Sequence, residues 1–342
     1  MPKERVMSGM RTTGTLHVGH YLGVLVNWTR LQDTYDCFFA AADWHMLTTG
    51  LGKTEHLRAH TRAIVLDWLA AGVDPAKATL YVQSAVPETA ELHLLLSMVT
   101  PVNWLQRDPT LKEMVRELHL VEDTVSYGLL GYPALQTADI LGVLGALVPV
   151  GEDQVAHLEI SRDIARRFNH QFGVALFPDP RPLLAPMPVV FGLDGRKMSK
   201  SYGNDLKLGD PAEVVVQKVM STVTDPARAR KTDPGHPEVC AIYTGWETYA
   251  PAEAAGVAAA CRGGEVGCVQ CKRNLAGAIN ALLEPVRERR AELAREPGRL
   301  DDIVAAGNQR ARAVTAETVE QVREAMGLNQ FDAAGRLRPL PT

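Results

Sequence analysis

The chain has 342 residues, enough for one large domain or two of ordinary size, with 46% apolar, 22% charged and 6% aromatic residues. A formal charge of −4 excludes a wholesale basic surface, so any nucleic-acid contact has to use local basic patches. No run approaches the roughly 20 apolar residues of a membrane span, and MPKERVMSGM meets Glu4 and Arg5 too early for a signal peptide; a cytoplasmic protein without a membrane partner is expected.

In chain order, VMSG (6–9), CFFAAAD (37–43) and TLYVQS (79–84) read as buried strands, each followed by a helix-like segment. Cys37 is expected to be a buried thiol on its strand. Between the second and third strands, Glu55 to Ala71 places Leu57, Ile64, Leu66 and Leu69 as the apolar side of a helix. This alternation predicts βαβ crossovers and a Rossmann-type parallel sheet, an α/β fold. Residues 152–169 form an amphipathic helix pattern on Ile160, Ile164 and Phe168, and the proline-rich residues 177–190 read as a connection. After about residue 205 the strand signals stop. Residues 211–224, 272–295 and 300–327 are helix-like, and the last residues, NQFDAAGRLRPLPT, read as a tail. The expected division is a catalytic domain over 1–200, an all-helical domain over 205–328 and a tail over 329–342.

Two loops carry chemistry. In SGMRTTGTLHVGHYLG (8–23) a strand ends at Ser8-Gly9 and a helix starts near His17. His17 and His20 share one face of its first turn, where free N–H groups and the dipole favour phosphate oxygens. Two imidazoles there can donate to an α-phosphate as it gains charge, and Gly19 leaves room for a nucleotide on the helix. A pair of surface or zinc-ligating histidines is the plainer alternative, but zinc would want further ligands and none lie in this segment. In DGRKMSKSYGN (194–204), Lys197 and Lys200 bracket a small loop in which Ser199 and Ser201 add hydroxyl donors. Lysine is a mobile point charge suited to a departing pyrophosphate.

HVGH resembles the first signature of class I aminoacyl-tRNA synthetases, and KMSKS matches their second. The resemblance implies that the two loops clasp ATP, brought in as its Mg2+ complex, while an amino-acid carboxylate attacks the α-phosphate. His17, His20, Lys197 and Lys200 would be catalytic, with Arg11, Thr12, Gly19, Met198, Ser199 and Ser201 completing the ATP contacts. The stretch GYPALQTADILGVLGALVPVGEDQ (131–154) is similar to tryptophanyl-tRNA synthetases, with ADWHMLTT (42–49) and DPARARK (225–231) in the expected order. On that resemblance Asp139 accepts the indole N–H of L-tryptophan. Met7, Gly9, His45, Tyr132, Gln136, Val148 and Val150 line the same pocket, and Gly151, Glu152, Asp153 and Gln154 hold ATP ribose and substrate polar groups. Tyr132 and Gln136 could equally be packing residues, and Asp153 a helix cap. Tyrosyl-tRNA synthetases are the nearest alternative. Met7 stands where those enzymes supply a tyrosine partner, which favours an indole ring. A paralogue that no longer charges tRNA, serving as a binding or iron–sulfur module, is the alternative of another class. Family analogy also implies a homodimer formed through an insertion around 95–130, and tRNA(Trp) as the polymeric partner.

Four of the five cysteines, Cys240, Cys261, Cys268 and Cys271, follow a C-x20-C-x6-C-x2-C spacing. In a reducing compartment such clusters more often bind metal than form disulfides. One close pair with two solitary thiols suits a four-thiolate cubane or an irregular zinc site, and a subgroup of tryptophanyl-tRNA synthetases carries a 4Fe–4S cluster on a similar spacing. The expectation is a 4Fe–4S cluster, with zinc next, stapling helices beside the anticodon-reading surface. Arg228, Arg230, Lys231, Lys272 and Arg273 form the local basic patches expected to meet tRNA phosphates.

Overall fold

The computed structural model describes residues 3–121, 124–151, 155–184, 190–331 and 336–337. Five strands, β1 (Arg5–Arg11), β2 (Asp36–Ala42), β3 (Ala78–Val82), β4 (Leu147–Val150) and β5 (Arg181–Leu184), form one parallel sheet in the order β3-β2-β1-β4-β5. β2, DCFFAAA, is buried on both faces, as a central parallel strand must be. Its alternate residues separate two cores. Cys37, Phe39 and Ala41 face Trp28, Trp68 and the helices of the C-terminal half, while Phe38 and Ala40 face Ile140, Val148 and Phe168. Trp28 stacks on Phe39 at 4.0 Å between ring centroids and meets Trp68 edge-on at 5.2 Å. Cys37 is fully buried, and burial pushes its thiol up to about 12.

The first three strands and the Leu57–Ala70 helix fall where the apolar patterning places them. β4 and β5 do not announce themselves in the sequence. Each is four residues long and carries a proline, Pro149 or Pro182, and β5 lies inside the stretch read as a connection. β5 is at the sheet edge, where a missing N–H is tolerated. The strand order reverses between β1 and β4. The chain crosses from β3 to β4 through residues 83–146, which include the helices Glu88–Ser97, Pro109–Glu117 and Tyr132–Gly142. Such a reversal opens a crevice at the carboxyl ends of the neighbouring strands, the place where ligands of doubly wound sheets bind.

Helices Ala212–Ser221, Ala241–Tyr249, Pro251–Arg262 and Cys268–Arg295 follow. The second and third of these lie outside the helical stretches that periodicity marks. Leu275, Ile279 and Leu283 of the long helix join the Trp28 side of the core. The last helix, Pro297–Ala325, turns back onto the sheet. Asn308 Oδ1 accepts from the Val82 amide at 2.8 Å, and Arg310 pairs with Asp36 at 2.7 Å. Gly307 lies so close to Leu80 that a methyl group would strike its carbonyl. This helix therefore covers the β3 edge, which would otherwise expose unpaired backbone. Among the described residues no helix is long and apolar enough to cross a membrane.

Candidate active site

β1 delivers the chain into a loop that ends at His17, whose extended backbone caps the turn Val18–His20. The His17 amide donates to His20 Nδ1 at 3.3 Å, which puts the His20 ring proton on Nε2. The two rings lie 3.8 Å apart between centroids. Burial, with Lys200 nearby, pushes His17 down to about 4. Burial, His17 and Lys200 push His20 down to about 3. Both imidazoles are thus neutral near pH 7 and each keeps one N–H to donate. His17 Nδ1 and the Thr12 hydroxyl are buried with no hydrogen-bond partner among the described residues. At Gly19 a Cβ would come within 2.8 Å of the His17 ring, so glycine is what keeps the imidazole in place.

The second loop reaches the first through the backbone that follows it. The Val18 amide donates to Leu206 O at 2.8 Å, and the Leu208 amide donates to Leu16 O at 3.0 Å. Asn204 ties the loop internally. Its Nδ2 donates to Asp194 Oδ1 at 2.7 Å, and its Oδ1 accepts from the Ser199 amide at 2.8 Å. Two glycines with positive φ, Gly195 at 76° and Gly203 at 62°, make its turns. Lys200 Nζ donates to Thr13 O at 3.5 Å, and its burial lowers its own pKa. Met198 is buried beside Gly19. The structure therefore brings Lys200 and Met198 to the histidine pair. Lys197 is exposed on the loop, held through its carbonyl, which accepts from Asn204 at 3.2 Å. The Ser201 side chain and Glu152, Asp153 and Gln154 lie outside the described residues.

Beside these loops, at the switch between β1 and β4, is a cavity of about 440 Å³. Met7, Gly9, Arg11, His20, His45, Tyr132, Gln136, Asp139, Val148, Val150 and Gly151 line it, so most of the expected pocket residues do converge. Met7, Val148 and Val150 are buried apolar wall. At Gly9 any Cβ would meet Ala40 O at 2.9 Å. Asp139 is 5% exposed on the Tyr132–Gly142 helix and accepts from His45 Nε2 at 2.9 Å. The Tyr132 hydroxyl donates to Asp108 Oδ2 at 2.5 Å, and burial, then Asp108, raise the phenol well above its ordinary range. The Tyr132 ring thus faces the pocket while its hydroxyl is engaged behind it. Arg11 reaches Thr49 across the mouth.

Sequence reasoning passed over Gln83 and Asp108. Gln83 Nε2 donates to both Asp139 oxygens, at 2.9 and 2.8 Å, while its Oε1 accepts from the Trp44 and His45 amides at 3.1 and 3.3 Å. Its signal was present, a polar residue directly after an apolar parallel strand, where such folds place functional groups. Asp108 carried a weaker one, an Asp-Pro at a helix start. Its carboxylate accepts from the Thr110 amide at 3.1 Å.

The thiols lie elsewhere, at the beginning of the Cys268–Arg295 helix and beside it. All five cysteines are free. Burial raises the Cys271 thiol, and the neighbouring Cys240, Cys261 and Cys268 add to it. Trp246 Nε1 donates to Cys271 Sγ at 3.3 Å. A Cβ at Gly235 would collide with Cys261 Sγ. Among the described residues no set of three or more His, Cys, Asp or Glu is grouped to hold a metal ion. Arg228 turns inward, with Nη1 3.7 Å from Cys261 Sγ and 4.0 Å from Cys268 Sγ. Lys272 donates to Met220 O at 3.0 Å. Arg230, Lys231 and Arg273 remain exposed.

The family described as tRNA synthetases class I (W and Y) matches residues 2–284. A tryptophan–tRNA ligase from Thermotoga maritima is 44% identical, over 95% of this chain and 99% of its own. One from Aquifex aeolicus is 40% identical, over 95% of this chain and 100% of its own. A crystal structure of tryptophanyl-tRNA synthetase from Campylobacter jejuni, complexed with ADP and tryptophan, is similar with a TM-score of 0.85, 32% identity and coverage of 94% of this chain and 99% of that one. Sequence, sheet order and the meeting of both signature loops agree, and the chain belongs to the tryptophan–tRNA ligases of the class I aminoacyl-tRNA synthetases.

Proposed function

We propose that the chain activates L-tryptophan with ATP and passes it to tRNA(Trp), with the work divided as follows. The tryptophan carboxylate attacks the α-phosphorus in line, the bond to the β-phosphate oxygen breaks, and pyrophosphate leaves with Mg2+. A terminal ribose hydroxyl of the tRNA then attacks the acyl carbon and AMP leaves. His17, buried, and His20, half-buried, both neutral, donate N–H bonds to phosphate oxygens without having to lose a proton. Lys200 balances the charge of the departing pyrophosphate, and Lys197 swings in on the glycine-hinged loop. Thr12, Arg11, Gly19, Met198 and Ser199 surround the nucleotide, with Gly151 and residues 152–154 on its far side. Asp139, held by Gln83 and His45, takes the indole N–H between the apolar walls Met7, Val148 and Val150.

The observation that carries this reading is the meeting of Lys200 with the histidine pair beside the cavity that Asp139 lines. The test is ATP–pyrophosphate exchange with each of the twenty amino acids. Tryptophan alone should drive it, and exchange driven by tyrosine instead would overturn the assignment.

The same proposal covers the rest of the molecule. Residues 205–328 read the anticodon, with Arg230, Lys231 and Arg273 against phosphates. Residues around 95–130 join two copies in a homodimer. The four thiols hold a 4Fe–4S cluster, with zinc as the second candidate, and it acts as a structural staple. Support comes from the C-x20-C-x6-C-x2-C spacing. Iron and zinc content of the anaerobically purified chain checks the metal. Replacing Cys268 and Cys271 with serine should then lower tRNA charging while leaving pyrophosphate exchange intact.

A further inference from the structure

Asp67 sits on the Leu57–Ala70 helix, 1% exposed, and touches no part of the tryptophan cavity. Its Oδ2 accepts from the Leu16 amide at 2.9 Å, one residue before His17. Its Oδ1 accepts from Arg290 Nε at 2.7 Å. Arg290 is near the end of the long Cys268–Arg295 helix. The same guanidinium packs on Gly209, just after the KMSKS loop, where a Cβ would lie 3.4 Å from its carbon and two of its nitrogens. The carbonyl of Leu16 accepts from Leu208. One ion pair thus meets the HVGH loop through a backbone hydrogen bond and, through packing, the segment that follows the KMSKS loop.

We propose that Asp67 and Arg290 form a clasp that sets the position of the HVGH turn, so that the long C-terminal helix takes part in placing the imidazoles for ATP. The pair is a positioning device. It touches neither nucleotide nor amino acid, and it rests on the reading of His17 and His20 as phosphate donors. A buried carboxylate held by two donors has one low-energy orientation, and a single amide fixed beside His17 transmits it to the ring. Without Arg290, Asp67 loses the cation that compensates its charge, and Leu16 loses a fixed acceptor.

The experiment compares Arg290→Met with Arg289→Met. Arg289 bridges the same two helices, through Ala70 O at 2.6 Å, without touching Asp67. Each is assayed for ATP binding, for pyrophosphate exchange with separate kcat and KM values, and for thermal unfolding. Arg290→Met should lower kcat/KM for ATP by about 10²-fold, the cost of a misplacement on the order of 1 Å, with tryptophan KM unchanged. Arg289→Met should keep wild-type kinetics. Asp67→Asn combined with Arg290→Met should be no worse than the larger single effect, as for partners in one device. If Arg290→Met fails to fold, Arg290→Lys, which keeps charge but not the Nε geometry, should give an intermediate loss that falls on ATP alone. The proposal is overturned if the folded Arg290 variant behaves as the Arg289 variant does, or if ATP and tryptophan kinetics fall together. A wild-type chain without exchange would sink the family reading instead. The clasp would then be decided by ATP affinity, which should still drop in the Arg290 variant.

Discussion

Gln83 and Asp139 are locked face to face beside the cavity at the β1–β4 switch, the amide of one donating to both carboxylate oxygens of the other at 2.9 and 2.8 Å. The amide oxygen of Gln83 is itself held by two backbone N–H groups, so the glutamine cannot flip without losing four hydrogen bonds. Asp139→Asn should therefore lower kcat/KM for tryptophan by about 10²-fold, the upper range for a bond to a charged group. Gln83→Met should cost about tenfold and appear mainly in the tryptophan KM, because the carboxylate survives but is no longer aimed. Pyrophosphate exchange at varied tryptophan checks both, and equal effects on ATP KM would contradict the assignment.

The two signature imidazoles make the fold sensitive to acid. Both are depressed below the ordinary histidine value of 6.5, by burial first. The unfolded chain then binds protons that the folded chain does not, so stability is full above pH 6.5. It is lost as pH falls toward about 4 for His17 and about 3 for His20. Urea midpoints of the wild type should drop on going from about pH 7 to about pH 4.5, and His20→Gln should reduce that drop. An unchanged slope in the variant would show the acid sensitivity to lie elsewhere.

Gly19→Ala should act on the chemistry alone. Its methyl group would meet the His17 ring at 2.8 Å and displace it. We expect kcat of exchange to fall by about 10- to 100-fold, the scale of one lost transition-state donor or less, while tryptophan binding measured by fluorescence is retained.

Two helical glycines should respond in opposite directions to the same change. Gly307→Ala would drive a methyl group into the Leu80 carbonyl, where the last helix meets β3. A loss of about 3 kcal/mol is expected from overpacking against backbone. Gly277, within the long helix, has open space around it, and its alanine variant should gain about 0.5–1 kcal/mol. Denaturant titration of the two variants checks both signs.

The candidate catalytic groups stood out wherever chemistry demands a particular residue type at a short spacing. His17 with His20, and Lys200 within KMSKS, are such cases, and the structure places them together. Asp139 was legible through its apolar neighbours and the family segment around it. The strands β4 and β5 were not. Four-residue strands containing proline carry no period, and only pairing with β1 and with each other makes them strands. Arg228 and Lys272 read as surface charges because a sequence contains no direction. In the fold one turns to the cysteine sulfurs and the other to a helix carbonyl.

Alternating apolar runs pointed to a parallel α/β sheet, and HVGH, KMSKS and residues 131–154 carried the resemblance to the family, because each signal lies in residues near one another along the chain. Which side chains hold the functional groups in place was settled in three dimensions. Gln83 and Asp139 are 56 positions apart, and Asp67 and Arg290 are 223 apart. Such pairs exist only after the β3-to-β4 crossover and the return of the long helix bring them within hydrogen-bond reach. Their partners have no separate local pattern, since a hydrogen bond is specified by distance and direction in space.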